Sequence, residues 1–197
     1  MDDLRQQVAF IVEIDRLKAV YRKTRVKADH NRSENSAEHS WQIALSAQVL
    51  QAYAEQPVDI QRVVCMLLIH DIVEIDAGDL FAFENQALQD AQQEKEIRAA
   101  QRIFGLLPID QSVQMQALWN EFEAAQSVDA RFAKSIDRLL PLILNMANQG
   151  GSWAENKVSK QQVIKRNGYL QTLSPKLFSY ALEQIDIACD RGWLLDD

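Results

Sequence analysis

The feature that most constrains this sequence is an unbroken apolar segment, Val63–Ile69. It is followed at once by His70 and Asp71 and, three residues after Asp71, by Glu74. An apolar run of this kind has no polar face to turn towards water, so it belongs at the centre of a globule. The run from Asp59, which suits a helix N-cap, to Glu74 is too long for a typical strand. We therefore predict one buried helix from Asp59 to Glu74, on which His70 and Glu74 share a face. A lone buried His-Asp pair is usually a histidine satisfied by a carboxylate, so its role depends on residues elsewhere in the chain.

The composition favours long helices in one domain. The 197 residues are 47% hydrophobic and include only 6 glycines and 4 prolines, which suits helices joined by few tight turns. We predict an all-α fold, a single compact bundle over residues 1–197, with a core over about 15–147 and C-terminal helices over about 152–190 packed on it. The net charge of −7 argues against non-specific binding of nucleic acid.

Neither a secretory signal nor a membrane span is expected. Asp2 and Asp3 stand at the N-terminus without an apolar segment behind them, and no apolar run approaches the roughly 20 residues that a span needs. Cys65 and Cys189 lie in apolar surroundings without metal-binding spacing, so we expect reduced core residues. These features predict a cytoplasmic protein that binds no membrane.

Helical periodicity predicts which residues of three helices face the core. The second of these helices begins at Asn35, because Asn35 and Glu38 have the spacing of a capping box. The positions expected to point inward are Leu4, Val8, Ile11, Ile14, Leu17 and Tyr21 in the first helix, Trp41, Ala44, Leu45 and Val49 in the second, and Val113, Leu118 and Phe122 in the helix after Asp110.

A basic segment follows the first helix of this acidic chain. Its members are Arg22, Lys23, Arg25, Lys27, His30 and Arg32. Charge runs are most often solvated surface, but this one ends immediately before residues that suit a site. A solvated surface and an anion-binding surface therefore stay open as interpretations.

Two further ionisable residues fall where helices are expected to face inward. His39 lies in the first turn after the capping box, where the helix dipole disfavours an imidazolium and keeps the ring neutral. Asp137 lies inside an apolar stripe and needs an ion pair, several donors or a metal. Arg138 projects about 100° away from it on helical geometry, whereas Arg131 and Lys134 could fold back to pair with it.

Two imidazoles and two carboxylates from three helices thus form a candidate site, namely His39, His70, Asp71 and Asp137. This donor set suits one divalent transition metal ion, such as Mn, Co, Fe, Ni or Zn, better than Mg, which prefers oxygen ligands. Such an ion activates water as a nucleophile and polarises the oxygen of an electrophile.

The order of these residues resembles the HD superfamily of metal-dependent phosphohydrolases. Three segments narrow the resemblance to the 5′-deoxynucleotidase branch: Arg32–Ser40, His70–Glu74 and Gly78–Leu80. Members of that branch are small all-helical dimers that remove phosphate from deoxyribonucleoside 5′-monophosphates. The resemblance therefore implies an HD domain, a homodimer and a nucleoside monophosphate substrate. It covers roughly residues 15–146 and weakens after Gly150.

The resemblance also assigns roles. It implies that the metal ligands are His39, His70, Asp71 and Asp137. It implies Glu74 as the catalytic acid and Asp79 as the carboxylate that positions water or the sugar. Burial beside an apolar helix could raise the pKa of Glu74 enough to keep it protonated at neutral pH.

Substrate binding is expected from the basic segment. Where the family has an Arg-Trp pair that holds phosphate and sugar, this chain has Arg22–Lys23. An ammonium cannot pack against a sugar face as an indole does, so the preference for deoxyribose stays open. Phosphate chemistry needs cations on the phosphoryl oxygens, and we expect Arg22 and Arg32 to supply them.

Two alternatives to a 5′-nucleotidase remain. One is another HD phosphohydrolase, which acts on a guanosine alarmone, a cyclic dinucleotide or a deoxynucleoside triphosphate. Multi-metal HD enzymes need extra histidines, and of the 3 histidines here only His30 is spare. The other is a non-catalytic HD module that binds a nucleotide or a protein. Glu74 and Asp79 argue against it, because a binding module has no use for a proton donor beside the ligands.

Overall fold

The computed structural model describes residues 2–196, which form a helical structure with a two-stranded hairpin near the N-terminus. The all-α prediction is confirmed apart from this hairpin. The α-helices are α1 (Asp3–Ile14), α2 (Ser36–Leu50), α3 (Ile60–Ile69), α4 (Glu74–Ala77), α5 (Gln86–Phe104), α6 (Ile109–Ala124), α7 (Val128–Ala147), α8 (Ser152–Asn156), α9 (Lys160–Arg166), α10 (Leu170–Leu173) and α11 (Pro175–Asp190), and the strands are β1 (Tyr21–Val26) and β2 (Arg32–Asn35).

Helix α3 buries Val63, Met66, Leu67 and Ile69 in the interior, but Cys65 and Leu68 of the apolar run are exposed, so the helix is buried on one side only. The Asp59 side chain accepts hydrogen bonds from the backbone N–H groups of Gln61 and Arg62 and so caps the helix. The predicted continuous helix to Glu74 is wrong, because the chain tightens into a 3₁₀ turn over His70–Val73 before α4 begins. The Trp119 indole donates to the backbone carbonyl of His70 at 3.1 Å and holds this turn from α6.

The capping box of α2 is confirmed, since the Asn35 side chain accepts from the Glu38 backbone and the Glu38 side chain accepts from the Asn35 backbone. The predicted inward face is wrong at three of its four positions. Trp41, Leu45 and Val49 are 63%, 50% and 71% exposed, whereas Ala44 is buried as predicted. The buried positions are Ser36, His39, Ser40, Ile43, Ala44 and Ala47. Both sets have helical spacing, so periodicity alone could not decide which one packs.

The inward face of the first helix was predicted wrongly at most positions. Leu4, Val8, Ile11 and Tyr21 are exposed and Phe10 is buried instead, whereas Leu17 is buried as predicted. The helix ends at Ile14 and a 3₁₀ turn, Asp15–Ala19, leads into β1. In α6 the same error applies to Val113, which is exposed, while Phe122 is buried as predicted.

The cysteines differ from each other in exposure. Both are free thiols, as predicted, but Cys65 is exposed and Cys189 is partly buried, so the expectation of core residues is wrong for Cys65. Cys65 lies on the side of α3 that faces away from the neighbours of Val63 and Met66, both of which are fully buried.

The basic segment forms the antiparallel hairpin β1–β2, which the sequence analysis did not predict. Tyr21 pairs with Asn35 and Val26 with Arg32, and an irregular register lies between Tyr21 and Arg25. His30 and Asn31 take positive φ angles of 50° and 57° in the connecting turn. Strand β1 carries the Arg22 side chain into the interior, where it is 11% exposed.

Two apolar clusters lie on either side of the segment that carries His70. The larger one joins α2, α3 and α7 to the C-terminal helices, with Leu67, Ile136 and Ile185 among its members. The smaller one joins α1, the 3₁₀ turn His70–Val73, α5 and α6, with Ile72 and Phe104 among its members. The turn His70–Val73 is therefore fixed by packing on both sides. Among residues 2–196, no helix combines the length and apolar character that crossing a bilayer requires.

Candidate active site

Four side chains from three regions of the chain converge at the 3₁₀ turn. The Nε2 atom of His39 lies 2.9 Å from Asp137 Oδ1, and the Nε2 atom of His70 lies 3.7 Å from the same oxygen. Ligand atoms of His39, His70 and Asp137 all lie within 4.8 Å of one another. Asp71 joins them through Oδ1, 2.9 Å from His70 Nε2, and through Oδ2, 4.0 Å from His39 Nε2. The predicted metal ligands are thus brought together.

The hydrogen bonding of His70 suits a metal ligand. Its Nδ1 atom donates to the backbone carbonyl of Leu67 at 2.9 Å, which leaves Nε2 as the atom with a free lone pair. Nε2 is buried and has no hydrogen-bond partner within residues 2–196, because its approach to Asp71 lacks hydrogen-bond geometry. An unsatisfied nitrogen beside two carboxylates fits a divalent cation.

The protonation states of the cluster favour the same ion. Burial lowers the pKa of His39 to about 4, so its ring is neutral. Burial alone would raise the pKa of Asp137, but its hydrogen bond with His39 and the nearby His70 hold that pKa well below the ordinary value. For His70, burial lowers the pKa, but the charges of Asp71 and Asp137 outweigh it and raise that pKa well above the ordinary value. A bound cation would take the place of this proton.

Glu74 is buried one turn beyond His70. Burial raises its pKa well above the ordinary value, and the charge of Asp71 acts in the same direction. The Ser36 hydroxyl donates to Glu74 Oε2 at 2.6 Å and fixes the orientation of the carboxyl group. The arrangement keeps a proton on a carboxyl group that faces the site.

Arg22 reaches the cluster from β1. Its Nη1 atom donates to Asp71 Oδ2 at 2.8 Å, lies 3.7 Å from Asp79 Oδ1, and its Nε lies 3.5 Å from Glu34 Oε2. Burial by itself lowers the pKa of Arg22, but the carboxylates of Asp71, Glu74 and Asp79 raise it above its ordinary value. Burial raises the pKa of Asp79 despite the nearby arginine.

A cavity opens onto this cluster, with about 800 Å³ of empty space including its mouth. Its lining joins the predicted residues Arg22, Lys23, Asp71, Glu74, Asp79 and Asp137 to the C-terminal part of the chain. Arg32 does not line it. Its guanidinium bonds to Asp29 and Glu38 on the surface, so the structure does not bring Arg32 to the site.

Several lining residues were not identified from the sequence. They are the aromatic residues Phe81, Phe83 and Trp153, the arginines Arg138 and Arg166, and Asn167. Glu34 was also missed, although its carboxylate lies 3.7 Å from His39 Nδ1. Arg138 projects away from Asp137 as predicted, and stacks over the Tyr169 ring at 4.4 Å.

Two histidines and two aspartates that converge on a helical scaffold indicate the class of protein to which this chain belongs. A family model described as an HD domain matches residues 14–178, so the chain belongs to the HD domain family. The predicted resemblance to this superfamily is confirmed.

Particular proteins are similar to this chain. It superposes with a TM-score of 0.91 and 46% identity on a protein from Magnetospirillum magnetotacticum MS-1 described as a predicted metal-dependent phosphohydrolase, covering 98% of this chain and 95% of that one. Over 134 residues it is 28% identical to the 5′-deoxynucleotidase HDDC2 of Homo sapiens, which covers 68% of this chain. The chain spans 64% of the length of that human protein. A conserved hypothetical protein from Pyrococcus furiosus, at 19% identity and a TM-score of 0.65, covers 91% of this chain and 99% of that one and shares the fold.

The ligand assignment predicts the effect of removing Asp137. We expect Asp137→Ala to lose bound metal, because the carboxylate charge is needed to hold the ion. The variant should stay folded, because the truncated side chain is small. The measurement is the metal-to-protein ratio by elemental analysis, with circular dichroism as the test of folding. Asp190→Ala, at the exposed end of α11, is the matched control and should retain the metal. An undiminished ratio in Asp137→Ala would remove Asp137 from the ligand set.

Proposed function

We propose that this protein is a metal-dependent phosphohydrolase that releases phosphate from nucleoside 5′-monophosphates, deoxyribonucleotides included. The observation that carries the proposal is that Glu74, a buried carboxyl group with a raised pKa, lines the same cavity as Asp71 and Asp137 of the candidate metal cluster and four cationic side chains. The similarity to the human 5′-deoxynucleotidase HDDC2 and to the Magnetospirillum protein supports it.

The charge of the cavity favours a monophosphate. Four cationic side chains and four carboxylates line it, namely Arg22, Lys23, Arg138 and Arg166 against Asp71, Glu74, Asp79 and Asp137. Because the raised pKa of Glu74 favours its neutral form, a divalent ion would leave an excess of about three positive charges, which is enough to compensate the two negative charges of a phosphomonoester near neutral pH. A triphosphate carries more negative charge than this lining compensates. The proposal therefore favours a monophosphate over the deoxynucleoside triphosphate alternative.

The aromatic residues in the cavity lining suit a nucleoside. Phe81 and Phe83 pack edge to face with ring centroids 5.3 Å apart, and Trp153 also contributes to the lining. Flat apolar surfaces of this kind pack against a base, while the polar end of the cavity takes the phosphate.

Each site residue has a proposed role. The metal, one ion of Mn, Co, Fe, Ni or Zn, would be held by His39, His70, Asp71 and Asp137, and when bound it lowers the pKa of water and polarises a phosphoryl oxygen. Glu74 protonates the leaving 5′-oxygen. Arg22 fixes the orientation of Asp71, and Asp79 lies beside Arg22 where it can position the sugar or water.

The alternatives are less well supported. His30 lies in the exposed turn of the hairpin and not in the cluster, so within residues 2–196 the histidines support a single ion. That favours a monophosphatase over multi-metal HD chemistry. The buried proton on Glu74 favours an enzyme over a binding module, because burying a carboxyl group beside other carboxylates is costly and brings a binding module no benefit.

The chain is proposed to act as one domain and to pair as a homodimer. The cavity draws residues from β1 near the N-terminus and from α9 near the C-terminus, which supports one functional unit. Trp41, Leu45 and Val49 form an exposed apolar stripe on α2, which supports pairing with a second copy.

Sedimentation velocity of the metal-loaded protein should give the mass of two chains. A single-chain mass at micromolar concentration would contradict the dimer.

The substrate class is tested with a panel of phosphorylated nucleotides, assayed for released phosphate with added Mn or Co. We expect release from nucleoside 5′-monophosphates and none from alarmones, cyclic dinucleotides or triphosphates. Paired ribose and deoxyribose substrates measure the sugar preference, which the replacement of the family tryptophan by Lys23 leaves open. Release from no member of the panel by metal-loaded protein would support the binding module instead.

A substitution at Glu74 separates catalysis from binding. Glu74→Gln keeps the size and hydrogen bonding of the side chain but has no acidic proton to transfer. We expect turnover of a nucleoside monophosphate to fall by roughly 10²–10⁴ with metal content unchanged. An aryl phosphate has a good leaving group that needs less protonation, so its turnover should fall much less. Equal losses on both substrates, or full activity, would assign the proton to Asp79 or to water.

A further inference from the structure

Arg166 is the last residue of α9 and lies in the wall of the site cavity, where Arg22 and Arg138 also lie. Within residues 2–196 its guanidinium forms neither a hydrogen bond nor an ion pair; only its backbone carbonyl is engaged, accepting from Arg138 Nη1 at 3.3 Å. Burial lowers the pKa of Arg166. The charges of Asp137 and Asp79 oppose that effect, while those of Arg138 and Arg22 add to it. A partly buried cation near two other arginines is unfavourable unless an anion joins them.

The two arginines that the sequence analysis assigned to phosphate are already paired, and Arg138, which also lines the cavity, donates to the Arg166 carbonyl and stacks over the Tyr169 ring. Arg22 is held by Asp71 and approaches Glu34 and Asp79, so its charge is compensated inside the protein. Arg32 is bonded on the surface and does not line the cavity. Of these four arginines, Arg166 alone combines a place in the cavity with a free guanidinium fork.

The neighbouring residue gives a second, independent observation. Asn167 is 2% exposed, lines the same cavity, and donates from Nδ2 to the backbone carbonyl of Val163 at 3.0 Å. Its Oδ1 atom is buried and has no hydrogen-bond partner within the described chain. A buried acceptor without a donor is costly, and a hydroxyl or amino group of a bound ligand would satisfy it.

A structural role at the helix end explains less. A cation near a helix C-terminus interacts favourably with the backbone carbonyls there. Lys165, which is exposed in the same last turn of α9, gains that interaction while it remains solvated. The helix dipole therefore does not explain why Arg166 lies partly buried in the cavity wall with Arg138 and Arg22.

We propose that Arg166 binds the phosphate group of the substrate through its guanidinium, with Asn167 accepting a hydrogen bond from the same ligand. A guanidinium matches two phosphate oxygens at once, which a lysine does not. This inference rests on the proposed phosphohydrolase function and extends the substrate-binding surface to α9, outside the segments from which the resemblance was predicted.

The test is calorimetric titration of inorganic phosphate into the metal-loaded full-length protein. We expect Arg166→Gln to bind phosphate roughly 10- to 100-fold more weakly, the usual loss for a charge-assisted hydrogen bond to a buried partner, with its metal content unchanged. Arg166→Lys should recover part of the affinity, because an ammonium keeps the charge but not the two-point geometry. Lys165→Gln is the matched control on the same turn and should bind phosphate as the parent does.

Each outcome of the titration either supports or overturns the assignment of Arg166 to phosphate binding. Equal phosphate affinity in Arg166→Gln and the parent, loss of metal together with phosphate, or a parent that binds no phosphate would each overturn it. If Arg166→Gln does not fold, the comparison of Arg166→Lys with Lys165→Gln replaces it, and equal affinities of those two would overturn the assignment.

The same proteins, assayed for phosphate release from a nucleoside 5′-monophosphate, separate this inference from the proposed function. A parent that binds phosphate through Arg166 but releases none from nucleotides would refute the function and leave the binding role. A parent that releases phosphate, with an Arg166→Gln variant unchanged in both KM and phosphate affinity, would refute the binding role and leave the function.

Discussion

The ion pair between Arg22 and Asp71 is the contact on which the arrangement of the site depends. Asp71 follows an apolar helix into the interior, where an isolated carboxylate would be strongly destabilising. Arg22 Nη1 donates to its Oδ2 at 2.8 Å, while Oδ1 lies 2.9 Å from His70 Nε2. The pair thus compensates the charge and orients the carboxylate towards the histidines. It also ties the hairpin to the end of α3, so a segment that is basic and polar in sequence becomes part of the interior.

The site contains two kinds of cation that differ in their pairing. Arg22 forms close ion pairs with carboxylates, one of which belongs to the proposed metal ligand Asp71. Arg166 and Lys23 line the cavity without an ion pair in the described chain. A surplus of positive charge in a partly desolvated cavity is unfavourable until an anion enters, and the phosphate proposal gives that anion a chemical identity. Binding and metal organisation are then carried out by different residues, which is why their substitutions have separable effects.

Local signals in the sequence predicted where two helices begin. Asn35 and Asp59 cap the helices that they were expected to cap, and Asp137 lies on the side of α7 that faces His39. Helix faces were predicted poorly. Trp41 and Leu4 have helical spacing but lie in solvent, because two stripes of equal period compete for the core and only the neighbouring helices decide between them.

The sequence by itself determined the helical class, the capping positions and the residue types of the metal cluster, because each depends on short-range spacing or on the chemistry of the side chains. The tertiary structure alone decided which charges meet. His39 and Asp137 are 98 residues apart and come within 2.9 Å, Arg32 stays on the surface, and Arg166 enters the cavity from a helix that carries no motif. The physical reason is that electrostatic pairing follows distance in space, and distances between remote segments are set by how the two apolar clusters pack.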